Sequence, residues 1–331
     1  MVRLQARPTD ADWLAAAARL AARGRPMSRP NPAVGCIIVK DGVVVGRGWT
    51  DVGGRPHAEA AALVQAGERA RGATAYVTLE PCAHTSPRGP SCADLLVGAK
   101  IARVVIGSQD PDPRTAGSGI ERLKSAGIET QVLASKEVDA SLIGYLTRAR
   151  YSRPFVTLKL ALSLDGCIAL ANGESQWITG EEARAHVHSR RAMQDAILVG
   201  GGTWRADQPR LDVRLPGLEN RSPRRIVLTR GVAPDGVTII NQPSQISRFD
   251  DLQYLYVEGG AQTAASFLSD DLVDRLEIYR APIVIGGGKP ALGDIGLASL
   301  ARAHGRWEEV ENRQLGSDRF TAYRRTRNEE G

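Results

Sequence analysis

The chain has 331 residues, with 43 Lys and Arg against 37 Asp and Glu, a formal charge of +6. Its 42% hydrophobic and 24% charged residues are ordinary globular values that exclude a mainly disordered chain, and the length suggests about two domains. The small, scattered charge excess argues against a nucleic-acid footprint, no apolar run reaches a membrane span, and four cysteines do not make a disulfide framework.

The first half alternates helical and strand patterns. Thr9 and Asp12 form a cap for a helix running to about Arg23, and the three prolines of Gly24–Pro32 exclude helix there. Strands Gly35–Val39 and Val43–Gly48 flank Lys40-Asp41-Gly42, a hairpin signal. The expected order then runs helix Ala58–Arg71, strand Thr74–Leu79, helix Cys92–Ala99, strand Arg103–Ser108, helix Ile120–Ala126, strand Ile128–Leu133 and helix Lys136–Arg148. This alternation predicts an α/β layer domain, largely parallel after the hairpin.

The boundary falls near Arg150–Pro154, giving domains 1–150 and 151–331. The second half is expected to contain strand Phe155–Leu162, helix Gly180–Met193, and strands Asp195–Val199, Arg225–Leu228 and Leu252–Val257. Helix Gln262–Ser269, strand Arg275–Ile285 and a closing strand near Arg319–Arg325 follow.

The densest chemistry is His57-Ala58-Glu59 followed by Pro81-Cys82 and Cys92. One imidazole and two thiolates leave the fourth tetrahedral position of Zn²⁺ open, the catalytic arrangement. Glu59, two residues from a ligand, is placed to take a proton from water and pass it to a leaving amine. His-x-Glu followed by Pro-Cys and a second Cys is the hydrolytic deaminase pattern, here with nine residues between the cysteines. His84 competes as a ligand, but its neighbours Thr85–Gly89 read as an exposed loop, so it is a substrate-contact candidate or neither. Cys36 reads as a core thiol and Cys167 as having no chemical role.

These motifs, with Pro30-Asn31-Pro32-Ala33-Val34-Gly35, Thr78-Leu79-Glu80-Pro81-Cys82 and Asp110-Pro111-Asp112-Pro113, resemble the bifunctional deaminase/reductase family of bacterial riboflavin biosynthesis. The resemblance extends through Lys159–Gly166, Gly173–Thr179, Ala206–Leu211 and Val257–Gly260. It implies a cytidine-deaminase-like three-layer α/β/α domain followed by a dihydrofolate-reductase-like α/β domain. It implies Zn²⁺ and NADPH as cofactors and a phosphorylated small-molecule pyrimidine as substrate, deaminated first and then reduced from ribosyl to ribityl. A cytoplasmic homo-oligomer without nucleic-acid or membrane partners is expected. The loop between the cysteines is one residue longer than the family's usual spacer.

By the same resemblance Ala161, Trp177, Thr203, Asp207 and the segment Gly260, Ala261, Gln262, Thr263, Ala264, Ala265, Ser266 would contact NADPH. Asn31, Ser175, Arg191, Leu211, Arg214 and Glu258 would contact substrate. Asn31 serves the pocket or caps its loop; Arg191 and Arg214 clamp a phosphate or make surface salt bridges; Trp177 stacks near the nicotinamide or lies in the core. The Gly259-Gly260 turn before a helix is the best pyrophosphate cradle, and Gly286-Gly287-Gly288-Lys289 is read as a turn. No residue stands out as an acid for the reduction.

Overall fold

A computed structural model describes residues 7–84, 89–113, 115–232 and 236–327. The expected loop Thr85–Arg88 lies outside the described residues. The chain divides into two compact units, Met1–Ser152 and Arg153–Gly331.

In the first unit α1 (Asp10–Ala21) precedes the hairpin β1 (Gly35–Lys40) and β2 (Val43–Trp49). Then come α2 (Ala58–Ala66), β3 (Thr74–Val77), α3 (Cys92–Gly98), β4 (Arg103–Ile106), α4 (Ser118–Ser125), β5 (Glu129–Val132) and α5 (Lys136–Tyr151). The sheet order is β2-β1-β3-β4-β5. Strand β1 is antiparallel to both neighbours, whereas β3, β4 and β5 run parallel. Helix α1 packs with α5, and α3 packs with both α2 and α4. The α1 start is the expected box: the Asp12 amide donates to Thr9 Oγ1 at 3.3 Å, and the Thr9 amide to Asp12 Oδ2 at 2.8 Å. Helix α2 stops at Ala66 rather than Arg71, because Gly67 turns to φ 55° and the chain continues as a short 3₁₀ turn.

Small residues bring α2 close to the hairpin. A Cβ at Gly46 would lie 2.2 Å from the Ala62 carbonyl oxygen, and one at Gly48 would lie 2.1 Å from that of Ala58. The helix buries Ala58, Ala62 and Ala66 on this side, so helix backbone rests almost directly on strand backbone. The substitution Gly48→Ala is therefore expected to cost about 1–3 kcal/mol and, by pushing α2 outward, to weaken any metal held by the expected ligand His57 just ahead of that helix. Thermal unfolding and metal analysis of the purified variant would check this; wild-type values in both would refute the packing argument.

The second unit contains β6 (Phe155–Leu162), β7 (Cys167–Ala169), α6 (Glu181–Arg191), β8 (Ala196–Gly200), α7 (Gly201–Asp207), β9 (Arg224–Leu228) and β10 (Thr238–Ile240). They are followed by β11 (Tyr254–Val257), α8 (Ala261–Ser269), β12 (Arg275–Arg280), β13 (Lys289–Pro290), β14 (Trp307–Leu315) and β15 (Asp318–Arg325). Eight strands form one sheet in the order β10-β9-β8-β11-β6-β12-β15-β14, and β13 pairs with β7. The sheet is parallel except for β15, which pairs antiparallel with both β12 and β14.

Strand β12 ends at Arg280 instead of Ile285. Pro282 has no N–H to continue the ladder, and Gly286 and Gly287 take positive φ in the expected turn. Strand β14 has no counterpart in the sequence-based expectation. Its composition, Trp-Glu-Glu-Val-Glu-Asn-Arg-Gln-Leu, is that of an edge strand guarded by charge rather than of a half-buried one. Two apolar clusters fill the sheet's surroundings, one around Leu158, Leu198, Leu255 and Phe267, the other around Ile197, Tyr256, Tyr279 and Phe320.

Candidate active sites

His57 is the N-cap of α2, and Cys92 is the first residue of α3. Cys82 lies on the loop that leaves β3. Strand and helix ends therefore deliver all three side chains to one place. His57 Nδ1 lies 3.2 Å from Cys92 Sγ and 3.6 Å from Cys82 Sγ, and the three donor atoms lie within 4.8 Å of one another. A tetrahedral zinc with N and S ligands at about 2.0 and 2.3 Å separates those donors by roughly 3.5 Å, so the observed spacing suits it. The donor chemistry fits too: one imidazole and two thiols, with the Cys92 amide donating to Cys82 Sγ at 3.4 Å. The hydrogen bond from Cys92 holds the Cys82 thiol down at about 4. The same bond and burial push Cys92 up. His84 is not in this triad among the described residues; it lines the adjoining cavity.

Glu59 follows on the first turn of α2 and is only 3% exposed. Burial raises its carboxyl above the ordinary range, opposed by the charge of His57. Together with the metal triad's His57 and Cys82 it lines a cavity of ≈360 Å³. Asn31 lines the same cavity, and its Nδ2 donates to the Gly54 carbonyl at 3.3 Å. It bridges two loops of the wall.

Glu80 is only one member of a motif in the sequence, and the structure gives it a distinct place. Its carboxylate accepts backbone N–H bonds from Asp110, Gly117, Gly119 and Ile120 at 3.3, 3.1, 2.9 and 3.1 Å. The caged carboxylate binds the loop after β4 and the start of α4 to the strand exit that carries Cys82. A Cβ at Gly119 would lie 1.9 Å from the Pro81 carbonyl oxygen, so only glycine permits this approach. Asp110 accepts from Tyr145 Oη at 2.6 Å and from the Asp112 amide at 3.0 Å in the same wall. Cys36 is fully buried in β1, as expected for a core thiol.

The second unit holds a cavity of ≈540 Å³ beside the carboxyl ends of β6, β8 and β11, the end of a parallel sheet where ligands generally bind. Ala161, Trp177, Thr203, Asp207 and Gly260 line it, as do Ser175, Arg191, Leu211, Arg214 and Glu258. Of the remaining cofactor candidates, Thr263, Ala264 and Ala265 are buried. Ala264 belongs to the apolar cluster on which α8 rests, so its side chain is unavailable. The start of α8 is different. Gly260 is its N-cap with no side-chain cap, which leaves backbone N–H groups of the first turn unsatisfied and suited to a phosphate. Gly259 takes φ +91° there, and the Gly260 amide donates to Thr203 Oγ1 at 3.1 Å. These features suit the pyrophosphate of a dinucleotide.

Trp177 is 65% exposed, so the core alternative is excluded. The Arg184 guanidinium carbon stands 4.8 Å from its ring centroid. Arg191 corrects the expectation of a phosphate clamp. Its Nε and Nη2 bond the Glu258 carboxylate at 2.6 and 2.9 Å, and Nη1 donates to the Asp212 carbonyl at 3.0 Å. The planar fork is spent on protein acceptors, and with side chains 12% and 8% exposed the pair is largely enclosed rather than a surface salt bridge. Arg214 is half exposed, and among the described residues its guanidinium meets only Asp212, at 3.4 Å.

Lys159 is a candidate functional residue that the sequence reading misses. Its Nζ lies 4.0 Å from Glu258 Oε2 in the cavity wall. Burial lowers its ammonium against the opposing pull of Glu258. Burial also works against the Glu258 carboxylate, yet Arg191 and Lys159 hold it below its ordinary value. A signal is present: Lys159 is the one charge in the apolar run Phe155–Leu162, and a lone charge in a buried strand needs a partner. On the neighbouring strand its register partner is Glu277, which is fully buried and accepts from Arg190, Arg275 and Tyr256.

Residues 7–108 match the family described as the cytidine and deoxycytidylate deaminase zinc-binding region. Residues 154–249 and 248–320 match the RibD C-terminal domain. Fold and sites thus define a zinc-binding deaminase domain joined to a reductase domain. The chain is 39% identical over 359 residues to riboflavin biosynthesis protein RibD of Escherichia coli, covering 93% of this chain and 97% of that one. It is 43% identical over 282 residues to the protein of the same name from Corynebacterium ammoniagenes, covering 80% and 83%. Acinetobacter baumannii RibD superposes with TM-score 0.86 at 36% identity, over 96% of this chain and 99% of that one. A Thermotoga maritima diaminohydroxyphosphoribosylaminopyrimidine deaminase/5-amino-6-(5-phosphoribosylamino)uracil reductase gives 0.85 at 31%, with the same coverage. The chain belongs to the RibD family of riboflavin biosynthesis. Among the described residues no helix is long and apolar enough to cross a membrane.

Proposed function

We propose that the two cavities perform successive steps on one small molecule. The first unit deaminates 2,5-diamino-6-(5-phosphoribosylamino)pyrimidin-4(3H)-one hydrolytically, and the second reduces its ribosyl group to ribityl, giving 5-amino-6-(5-phosphoribitylamino)uracil. The observation that carries the reading is the convergence of His57, Cys82 and Cys92 on one point, with His57 and Cys82 lining the same cavity as the buried Glu59.

His57, Cys82 and Cys92 would hold zinc, which when bound supplies a Lewis acid that makes water a nucleophile near neutral pH. Glu59 accepts a proton from the attacking water and delivers it to the departing ammonia. Asn31 helps wall the pocket against the substrate. In the second unit Gly260, Ala261 and Gln262 at the α8 start receive the pyrophosphate of NADPH, which when bound supplies the hydride. Thr203, Asp207 and Ala161 line its path, with Trp177 at the cavity mouth. Glu258, held by Arg191 and neutralised by Lys159, faces the sugar. Arg214, whose guanidinium is open, receives the substrate phosphate together with Ser175, beside Leu211.

The assignment of residues 1–150 to deamination and 151–331 to reduction belongs to this proposal. So do association of copies through the reductase halves and a cytoplasmic setting, with which the four unpaired cysteines agree.

The test supplies the phosphoribosyl diaminopyrimidinone with zinc and NADPH, following ring absorbance and cofactor oxidation separately. Both signals are expected, in that order. In Cys82→Ser the first should vanish with the metal, while reduction of the already deaminated intermediate continues. Loss of both activities in a folded Cys82→Ser chain would overturn the two-site reading.

A further inference from the structure

The deaminase cavity carries a charge that neither the metal triad nor Glu59 explains. Arg55 lines its wall and is the only arginine or lysine among the described residues that do so. Its neighbours on that wall include the acids Glu59, Glu80, Asp110 and Asp112. Arg55 nevertheless makes no ion pair or hydrogen bond within the described residues, and its Nε is buried without a partner. A second buried nitrogen without a partner, His84 Nδ1, belongs to the same wall. Native proteins rarely leave buried donors unsatisfied, and such groups ask for a ligand. The backbone at Arg55 is extended (φ −148°, ψ 146°), as is that at His57 (φ −70°, ψ 161°). Both residues line this cavity.

We propose that Arg55 is the phosphate-recognition residue of the deamination site, its guanidinium receiving the phosphate monoester of the pyrimidine substrate. This deepens, and rests on, the deamination reading above. Glu80 is already neutralised by four backbone N–H groups, so it does not compete for the guanidinium. The planar fork of arginine matches phosphate oxygens in pairs and stays charged at any working pH. A dianion is the ligand that such a charge discriminates most strongly from a neutral sugar. Arg55 thus selects the phosphorylated substrate over its unphosphorylated riboside and takes no part in the chemical step.

The experiment compares the zinc-loaded wild-type chain with Arg55→Gln and Arg55→Lys on both the phosphoribosyl pyrimidine and the riboside. Arg55→Gln is expected to raise KM for the phosphorylated compound by about 10- to 100-fold, with kcat little changed and the riboside unaffected. Arg55→Lys, which keeps the charge but loses the fork, should fall between. Zinc content is measured alongside and should stay at the wild-type value. An unchanged KM, or an equal rise for both compounds, overturns the proposal. Should Arg55→Gln lose zinc, the same selectivity measured in Arg55→Lys decides the matter by the same criterion. Absence of deamination in the wild-type chain would instead overturn the deaminase reading, and it is seen before any substitution is made.

Discussion

Replacing Glu59 by glutamine is expected to reduce deamination by about 10²- to 10⁴-fold, the usual contribution of a general acid–base group. Zinc should remain bound at the wild-type level, because the amide keeps the side-chain volume and the three donors His57, Cys82 and Cys92 are untouched. The loss should appear in kcat, since the amide still fills the pocket but carries no proton between water and the departing amine. Glu59 is buried at the start of α2, so solvent has poor access to stand in for it. Reduction of the deaminated intermediate should proceed at the normal rate. Metal analysis, deamination followed by ring absorbance, and NADPH oxidation on the intermediate make the three readings. A variant that deaminates within a few-fold of the wild type would remove Glu59 from the mechanism. One that loses zinc would make it a structural support of the site.

The mirror experiment lies in the second unit. Glu258→Gln removes the negative charge shared by Arg191 and Lys159, with contacts of 2.6 and 4.0 Å. Breaking a buried pair strands the remaining charges, at a cost of about 3–5 kcal/mol. Two cations would then face each other at the cavity floor, and the amide cannot reproduce a bidentate acceptor for the Arg191 fork. Reduction is expected to fall by at least about 10²-fold, as is common when a positioned polar group at a reacting centre is lost. Urea unfolding should show an earlier transition for this unit, with deamination retained. The charge argument has an internal check. Lys159→Met in the Glu258→Gln background removes one stranded cation and should recover part of the lost stability, though not the activity. A Glu258→Gln chain with normal stability and normal NADPH oxidation would refute the assigned role.

The zinc triad is legible in the sequence because its chemistry is local. A His at a helix start, a Cys on a strand exit and a Cys at the next helix start are each recognisable from neighbouring residues, and the elements that carry them are signalled by short-range periodicity and caps such as Thr9 with Asp12. The reductase site is legible only as a set of segments. Its key grouping joins Lys159 of β6, Arg191 of α6 and Glu258 just beyond β11, and nothing in their sequence separation says that these three share one charge balance.

The errors follow from the same difference. Arg191 reads as a phosphate clamp because arginine suits phosphate, but a carboxylate 67 residues away occupies its fork. Strand β14 escapes a sequence reading because its pairing partner β15, not its own polar sequence, makes it a strand. Ala264 falls in a cofactor segment, and the side on which α8 meets the sheet puts its side chain in the apolar core.

The sequence by itself determined the α/β character of both halves and singled out His57, Cys82, Cys92 and Glu59, which the structure brings together, since composition, periodicity and donor type act over a few residues. Only the tertiary structure decided which charges are spent and which remain open. It pairs Arg191 and cages Glu80, and among the described residues it leaves Arg55 Nε without a partner in the deaminase cavity. The reason is physical: a charge is defined by its surroundings within a few ångströms, and those surroundings come from distant parts of the chain. The opening excess of +6 therefore says little about function until the fold shows which cations the protein has already neutralised.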